Sequence, residues 1–243
     1  GAVGSDGLFL KEILADAGAD VSCLRVMDTE SGCAFIEVNS KGQNRIIVSA
    51  GTNRMYTEEY IKNVLEKAEA GDFVLLQNEI NMVGEIIRLS HEKGCRVVFN
   101  ASPIPGKPEE LPLELVDIFM VNELEAAALA GTSTEGDFRD ILKALQKKYP
   151  KAAIVMTLGK EGVFYGYKEE FYSHPIFKVN AVDTTAAGDT FCGYFLAALC
   201  AEKSVETALR EASAASAMAV SAKGAAPSIP VHSAVEEWLC GRS

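Results

Sequence analysis

The spacing of hydrophobic and polar positions changes several times along this chain. Residues 7–18 carry apolar side chains at helical spacing and read as a short amphipathic helix. Three strand-like runs follow at 23–27, 34–38 and 45–48, with Asn39-Ser-Lys-Gly42 as a turn between the last two. Together they predict a three-stranded meander, a flap on one edge of the fold. Thr57 reads as an N-cap, with Tyr56 and Ile61 as a hydrophobic staple. From there strands and helices alternate: strand 73–76, helix 83–93, strands 96–99 and 117–121, helices 123–130 and 136–148, strand 152–157, an antiparallel pair 162–167 and 170–172, and helices over 188–201, 204–222 and 231–240. Short buried strands alternating with helices predict an α/β fold, a mostly parallel sheet covered by helices on both faces. No internal repeat, low-complexity stretch or linker interrupts residues 1–243, which read as one domain. Ligands of such sheets bind at the carboxyl ends of the strands. Gln77 to Glu79, Asn100, Asn122 to Glu125, Thr157 to Gly162 and residues 183–189 fall there.

With 48% hydrophobic residues, the chain can bury a full core. Its net charge of −11 argues against nucleic acid and against anionic membrane surfaces as partners. Apolar runs are too short to span a bilayer, and no signal peptide is visible. Six cysteines are scattered with no CxxC pair and no neighbouring histidine, which predicts reduced, buried thiols in a cytoplasmic protein. His91, His174 and His232 lie far apart without metal-ligand spacing. The opening Gly-Ala-Val-Gly-Ser-Asp-Gly reads as the end of a strand entering a helix, a beginning expected inside a domain.

The strongest chemical signal is Asp183-Thr-Thr-Ala-Ala-Gly-Asp189, followed directly by a helix pattern. Small residues let backbone N–H groups crowd together, and a helix start favours phosphate through its unpaired amides and its dipole. Asp189 could take a proton from an attacking hydroxyl, so positioning, charge stabilisation and a base would come from one heptad. The competing reading is an Asp cap after a small-residue turn. Thr157-Leu-Gly-Lys-Glu-Gly162 is either a simple turn or a loop approaching a ligand through Gly159 and Gly162. Asn122-Glu-Leu-Glu125 is either a capped helix start or a site near Mg²⁺ and its waters. Lys223-Gly-Ala-Ala-Pro-Ser-Ile-Pro230 ends a long helix with Gly224 as a C-cap signal, and its carbonyls could also face a cation. There is no GxxxxGK[ST] and no strand followed by GxGxxG, so P-loop and dinucleotide-binding folds are unsupported.

Taken together and in order, these motifs resemble the ribokinase-like (PfkB) carbohydrate kinases. Residues 183–191 resemble that family's second signature, Asn122-x-x-Glu125 its NxxE motif and 157–162 its nucleotide loop. Ala50-Gly-Thr-Asn53, Leu76-Gln-Asn-Glu79, Asn100-Ala-Ser-Pro103 and Lys223-Gly-Ala-x-Pro-Ser228 fit its ribokinase branch best. The resemblance implies ATP-dependent phosphorylation of a sugar primary hydroxyl, D-ribose to ribose 5-phosphate, with fructose, 2-keto-3-deoxygluconate or a nucleoside as alternative acceptors. It implies Asp189 as general base, with the backbone N–H groups of Ala186, Ala187, Gly188 and Asp189 as the anion hole. ATP would be bound by Asn122, Thr157, Leu158, Gly159, Lys160 and Gly162. Ser213 stands where relatives often place Asn or His against the nucleotide. Glu79 would contact the sugar, and Glu125 would act on Mg²⁺ through water. Asp183, Thr185, Ala219, Ala222, Gly224 and Ser228 would form a K⁺ site, mostly through carbonyls. Strands within 21–50 would belong to a lid that shields the site and pairs two copies.

The departures from the family pattern are specific. The family's first strand, two lid strands and Gly-Gly-Lys-Gly-Ala-Asn sugar motif have no counterpart in these residues, so the expected domain lacks its N-terminal segment. Ala186 replaces the commoner Gly, and Ala101 stands where ribokinases usually have Pro. A non-catalytic, nucleotide-binding remnant is therefore the second reading. Against it, Asp189, the heptad, Asn122 and Glu125 are all intact.

Overall fold

A computed structural model describes residues 1–38 and 44–242. The chain forms two compact units, one from Gly1 to Asp117 and one from Ile118 onward.

The first unit begins with strand β1 (Ala2–Gly4) and helix α1 (Leu8–Asp16), followed by strand β2 (Arg25–Met27). β1 and β2 pair in parallel, Ala2 opposite Arg25 and Gly4 opposite Met27. The Tyr60 hydroxyl, bonded to the carbonyl of Cys23 at 2.6 Å, ties the entry of β2 to the next helix. The expected meander over 23–48 is therefore two separate sheets. β2 pairs with β1, whereas β3 (Cys33–Val38) and β4 (Asn44–Ser49) form an antiparallel hairpin of their own. The strands expected at 34–38 and 45–48 form this hairpin, and the turn expected at Asn39 to Gly42 lies outside the described residues. A strand of three residues such as β1 leaves too short a pattern for its pairing to be read in advance. Phe35 faces Ile47 across the hairpin and Ile36 faces Ile46, and all four are exposed.

Helix α2 (Glu58–Leu65) starts where expected, the Thr57 side chain accepting from the Tyr60 N–H, and the Tyr56 ring lies against Tyr60. Strand β5 (Phe73–Gln77), helix α3 (Val83–Glu92) and strand β6 (Arg96–Asn100) complete a β-α-β unit. β5 and β6 run parallel and bring Gln77 beside Asn100 at their carboxyl ends. Helix α1 falls within the short helix expected over 7–18, and its Leu8, Phe9, Leu10, Ile13 and Leu14 are all exposed.

The second unit opens with strand β7 (Ile118–Asn122), helices α4 (Glu123–Ala130) and α5 (Phe138–Lys148), and strand β8 (Ala153–Thr157). β7 and β8 are parallel and nearly every residue in them is buried, the signature of strands covered on both faces. Strands β9 (Val163–Tyr167) and β10 (Glu170–His174) add an antiparallel extension. Helices α6 (Ala187–Cys200), α7 (Val205–Val220) and α8 (His232–Cys240) follow. Alanines 208, 212, 214, 215, 217 and 219 are buried on α7 and let its neighbours pack closely. All six cysteines are free, but only Cys95 and Cys192 are buried; Cys33, Cys200 and Cys240 are exposed, correcting the expectation of buried thiols. The apolar neighbours that suggested burial flank the exposed positions in sequence without covering them.

The connection from β8 to β9 is sterically closed. Gly162 has φ of 95°, and a Cβ there would stand 2.2 Å from the carbonyl oxygen of His174. Gly162→Ala is therefore expected to lower unfolding stability by about 2–4 kcal/mol, combining backbone strain with overpacking. Urea denaturation read by circular dichroism checks this, with Gly159→Ala, whose Cβ meets no atom within 4 Å, as the milder comparison.

Candidate functional site

The candidate site residues of the second unit lie on the ends of two parallel strands and at the start of α6. Strand β7 ends at Asn122 and strand β8 at Thr157, and these two residues are register partners. Asn122 caps helix α4 in a reciprocal box. Its Oδ1 accepts from the Glu125 N–H at 2.9 Å, and its own N–H donates to Glu125 Oε2 at 2.8 Å. The capping reading of Asn122-x-x-Glu125 is thus realised. It commits one oxygen of the buried Glu125 carboxylate to the backbone.

The residues after Thr157 form a single 3-10 turn, Gly159–Glu161, rather than a plain β-turn. Leu158 is buried and donates its N–H to the Gly162 carbonyl at 2.8 Å, while Gly159 and Lys160 are exposed at the tip. Gly159 has φ of 49°, so both glycines hold the positive-φ backbone that their residue type suggested.

The segment leading into α6 is fixed from its beginning. Val182 and Asp183 both donate their N–H to the carbonyl of Val220, the last residue of α7, at 2.7 and 3.2 Å. These bonds satisfy a carbonyl that a helix end leaves without an intrahelical partner. The Asp183 carboxylate then closes a clasp. Oδ1 accepts from the Thr185 N–H at 3.0 Å and the Thr185 hydroxyl at 2.6 Å, and Oδ2 accepts from the Gly224 N–H at 3.0 Å. Three donors on one carboxylate favour its charged form and hold its pKa down at about 2.

The chain next turns through Ala186, a non-glycine residue with φ of 58° and ψ of 12°. The first i→i−4 bond of α6 runs from Thr190 N–H to Ala186 carbonyl at 2.9 Å. Ala187, Gly188 and Asp189 are therefore the first three helical residues, ahead of that ladder. The Ala187 N–H donates to the Thr184 carbonyl at 3.3 Å, a long bond, so of the proposed anion-hole donors this one already has a partner. A Cβ on Gly188 would meet no heavy atom within 4 Å. Asp189 is the acidic residue of the first turn and is exposed. It borders a cavity of about 480 Å³ shared with Gly193, Tyr194, Lys203, Glu211 and His232. Thr190 also lines this cavity, and its buried hydroxyl has no partner among the described residues.

Of the residues predicted for a cation, Asp183, Thr185 and Gly224 come together in the clasp. Ala222 donates its N–H to the Ala219 carbonyl at 3.1 Å, and the Ser228 hydroxyl donates to the Ala225 carbonyl at 2.8 Å. Both Asp183 oxygens are already bonded within the clasp. Among the described residues no group of three or more His, Cys, Asp or Glu side chains could hold a metal. A divalent ion would depend on phosphate oxygens and water, as Mg²⁺ sites usually do. Ser213 is half-buried on α7. Glu79 is exposed in the turn after β5 and belongs to the first unit. Sequence reasoning missed Ser216, whose hydroxyl donates to the Ala187 carbonyl at 3.1 Å. A serine within an alanine-rich helix gives no signal of a bond to a residue 29 positions earlier.

The second unit thus carries a left-handed turn feeding a helix start that bears an aspartate, and a glycine turn at the end of a parallel strand. The chain belongs to the pfkB family of carbohydrate kinases, which matches residues 1–232. It is 35% identical to the ribokinase of Haemophilus influenzae over 244 residues, covering 98% of this chain and 79% of that protein. Among solved structures it is similar to the ribokinase of Thermotoga maritima, with a TM-score of 0.84 and 33% identity, over 98% of this chain and 80% of that one. It is also similar to the Arabidopsis thaliana ribokinase solved with ribose and ATP, with a TM-score of 0.83 and 31% identity, over 98% and 80% of the two chains. The expected α/β fold with a mostly parallel sheet is therefore the fold of this chain.

The Asp183 clasp makes a pH prediction. A carboxyl held at about 2 against an ordinary value of 3.8 contributes stability that is fully present above the ordinary value and is lost as pH falls through the lowered one. The stability difference between the wild type and Asp183→Asn is thus expected to stay constant down to about pH 4 and to shrink towards pH 2. Paired thermal melts across that range measure it.

Proposed function

We propose that this protein transfers the γ-phosphoryl group of ATP to the primary hydroxyl of D-ribose, giving ribose 5-phosphate. The observation that carries this reading is the start of α6: Asp189 stands on the first helical turn, directly after the left-handed Ala186. The similarity to ribokinases, one of them solved with ribose and ATP, supports the sugar and the nucleotide.

In this reading Asp189 accepts the proton of the sugar hydroxyl as its oxygen attacks phosphorus. The amides of Ala186 to Asp189 and the dipole of α6 hold the equatorial oxygens of the transferring group. Ala187 would exchange its long bond to Thr184 for a charged acceptor, the stronger partner. Asn122, Thr157, Leu158, Gly159, Lys160 and Gly162 would line the nucleotide, with Ser213 near its base. Glu79 would bind a sugar hydroxyl. Glu125 would orient waters on Mg²⁺, which when bound neutralises charge on the phosphates. The loop of Asp183, Thr185, Ala219, Ala222, Gly224 and Ser228 would hold K⁺ and so stiffen the backbone next to the anion hole. No helix among the described residues is long and apolar enough to cross a membrane, and the proposed setting is the cytoplasm.

The test is ATP-to-ADP turnover by the purified chain with D-ribose, Mg²⁺ and K⁺, with fructose, 2-keto-3-deoxygluconate and a nucleoside as comparison acceptors. Ribose-dependent turnover is expected, with a loss of about 10²–10⁴-fold in Asp189→Asn, the usual contribution of a general base. Transfer by Asp189→Asn at the wild-type rate would remove Asp189 from the role. ATP binding without transfer to any acceptor would favour the non-catalytic remnant.

The same reading makes the β3–β4 hairpin a lid through which two copies pair. Its exposed Phe35, Ile36, Ile46 and Ile47 support this, because the cross-strand pairs put apolar side chains on both faces of a two-stranded sheet. Sedimentation equilibrium is expected to give a dimer for the wild type and a monomer for Phe35→Glu. A monomeric wild type at high micromolar concentration would sink the pairing.

A further inference from the structure

We propose that Ser216 is a positioning residue for phosphoryl transfer, holding the first turn of α6 in the shape that binds the phosphate. The inference rests on the kinase reading above and concerns a residue that neither the motifs nor the family resemblance pointed to.

A serine inside a helix normally turns its hydroxyl to water or back onto the carbonyl four residues earlier. Ser221, near the end of α7, follows the second pattern and donates to the Ala217 carbonyl at 2.8 Å. Ser216 does neither. Its hydroxyl crosses to α6 and donates to the carbonyl of Ala187 at 3.1 Å. Ala187 is the first residue of α6. Its carbonyl has two lone pairs, so the ladder bond of the helix and the Ser216 bond are compatible. Close approach of the two helices is eased by the alanines one turn before and after Ser216 on α7, Ala212 and Ala219, both buried.

The anchored residue adjoins the strained one. Ala186 is an L-residue in the left-handed region, a conformation that persists only where the surroundings over-determine it. Upstream, the Asp183 clasp fixes residues 183–185 to the loop after α7. Downstream, the Ala187 carbonyl is fixed to α7 by Ser216. Ala186 is thus pinned between two anchors on one neighbouring helix and the loop that follows it. A peptide plane carries both its carbonyl and the next N–H, so fixing the Ala187 carbonyl also fixes the direction of the Gly188 N–H. That amide is one of the donors the phosphate would use, and Gly188 has open space beside it.

The deciding experiment titrates ¹⁵N-labelled wild type, Ser216→Ala and Ser216→Thr with inorganic phosphate, following the amide shifts of Gly188 and Asp189. Turnover with ATP and D-ribose is measured on the same samples. Phosphate affinity is expected to fall about fivefold in Ser216→Ala and to return to within twofold of wild type in Ser216→Thr, which keeps the hydroxyl. In turnover, kcat is expected to fall by a similar factor with the KM for ribose unchanged. In an Ala186→Gly background, where the turn is no longer strained, the Ser216→Ala loss is expected to shrink to about twofold, a coupling that only neighbouring residues show. Equal phosphate affinity in wild type and Ser216→Ala would overturn the proposal. So would equal losses in the alanine and threonine variants, which would indicate packing alone. A wild type that binds phosphate at Gly188 but phosphorylates no acceptor would remove the kinase reading, while the phosphate titration would still decide the role of Ser216.

Discussion

The second unit depends on one carboxylate. Asp183 gathers the amide and hydroxyl of Thr185 and the amide of Gly224, and so joins the segment that precedes α6 to the loop that follows α7. The chain between β10 and α6 has twelve residues of irregular backbone, 175–186; Phe177 holds its start against Trp238, and this junction fixes its end. With it, the last carbonyl of α7 is capped, the left-handed turn at Ala186 is tolerated, and α6 begins at a defined point. The same loop that anchors the turn is the one proposed for a monovalent ion. Charge placed there would act on a carboxylate that is ionised throughout the physiological range.

Much of this was legible in the sequence because it is local. Thr57 and Asn122 cap helices as their residue types and spacings indicated, and Glu125 completes the box because it stands three positions after its partner. The runs of α4 and α5, the parallel strands and the antiparallel pair β9–β10 follow from apolar spacing bounded by turn residues. The heptad marked the start of α6 because an aspartate after small residues suits a helix start on either reading, cap or anion site.

What was not legible depends on distance along the chain. The pairing of β1 with β2 joins residues more than twenty positions apart through strands of three residues, too short to carry a period. The apolar spacing of α1 marked a helix, but burial is a property of neighbours, and nothing in the spacing told that these residues are exposed. Ser216 lies in an alanine-rich stretch where its partner, 29 residues earlier, leaves no trace. Ala186 was noted as a departure from a commoner glycine, but its positive φ shows what that departure means physically: a side chain is accommodated where the backbone favours having none.

Gly162 separates two kinds of constraint that are easily confused. It sits in the loop proposed for the nucleotide, so its invariance across a set of homologues would ordinarily be taken as a sign of ligand contact. Yet a Cβ there would collide with the carbonyl of His174, an atom of the protein's own backbone. A protein of this fold that had lost all affinity for nucleotide would still reject every other residue at this position. Retention of Gly162 therefore dates the fold and not the activity, whereas retention of Gly188, where a side chain would meet only open space, would carry information about the ligand.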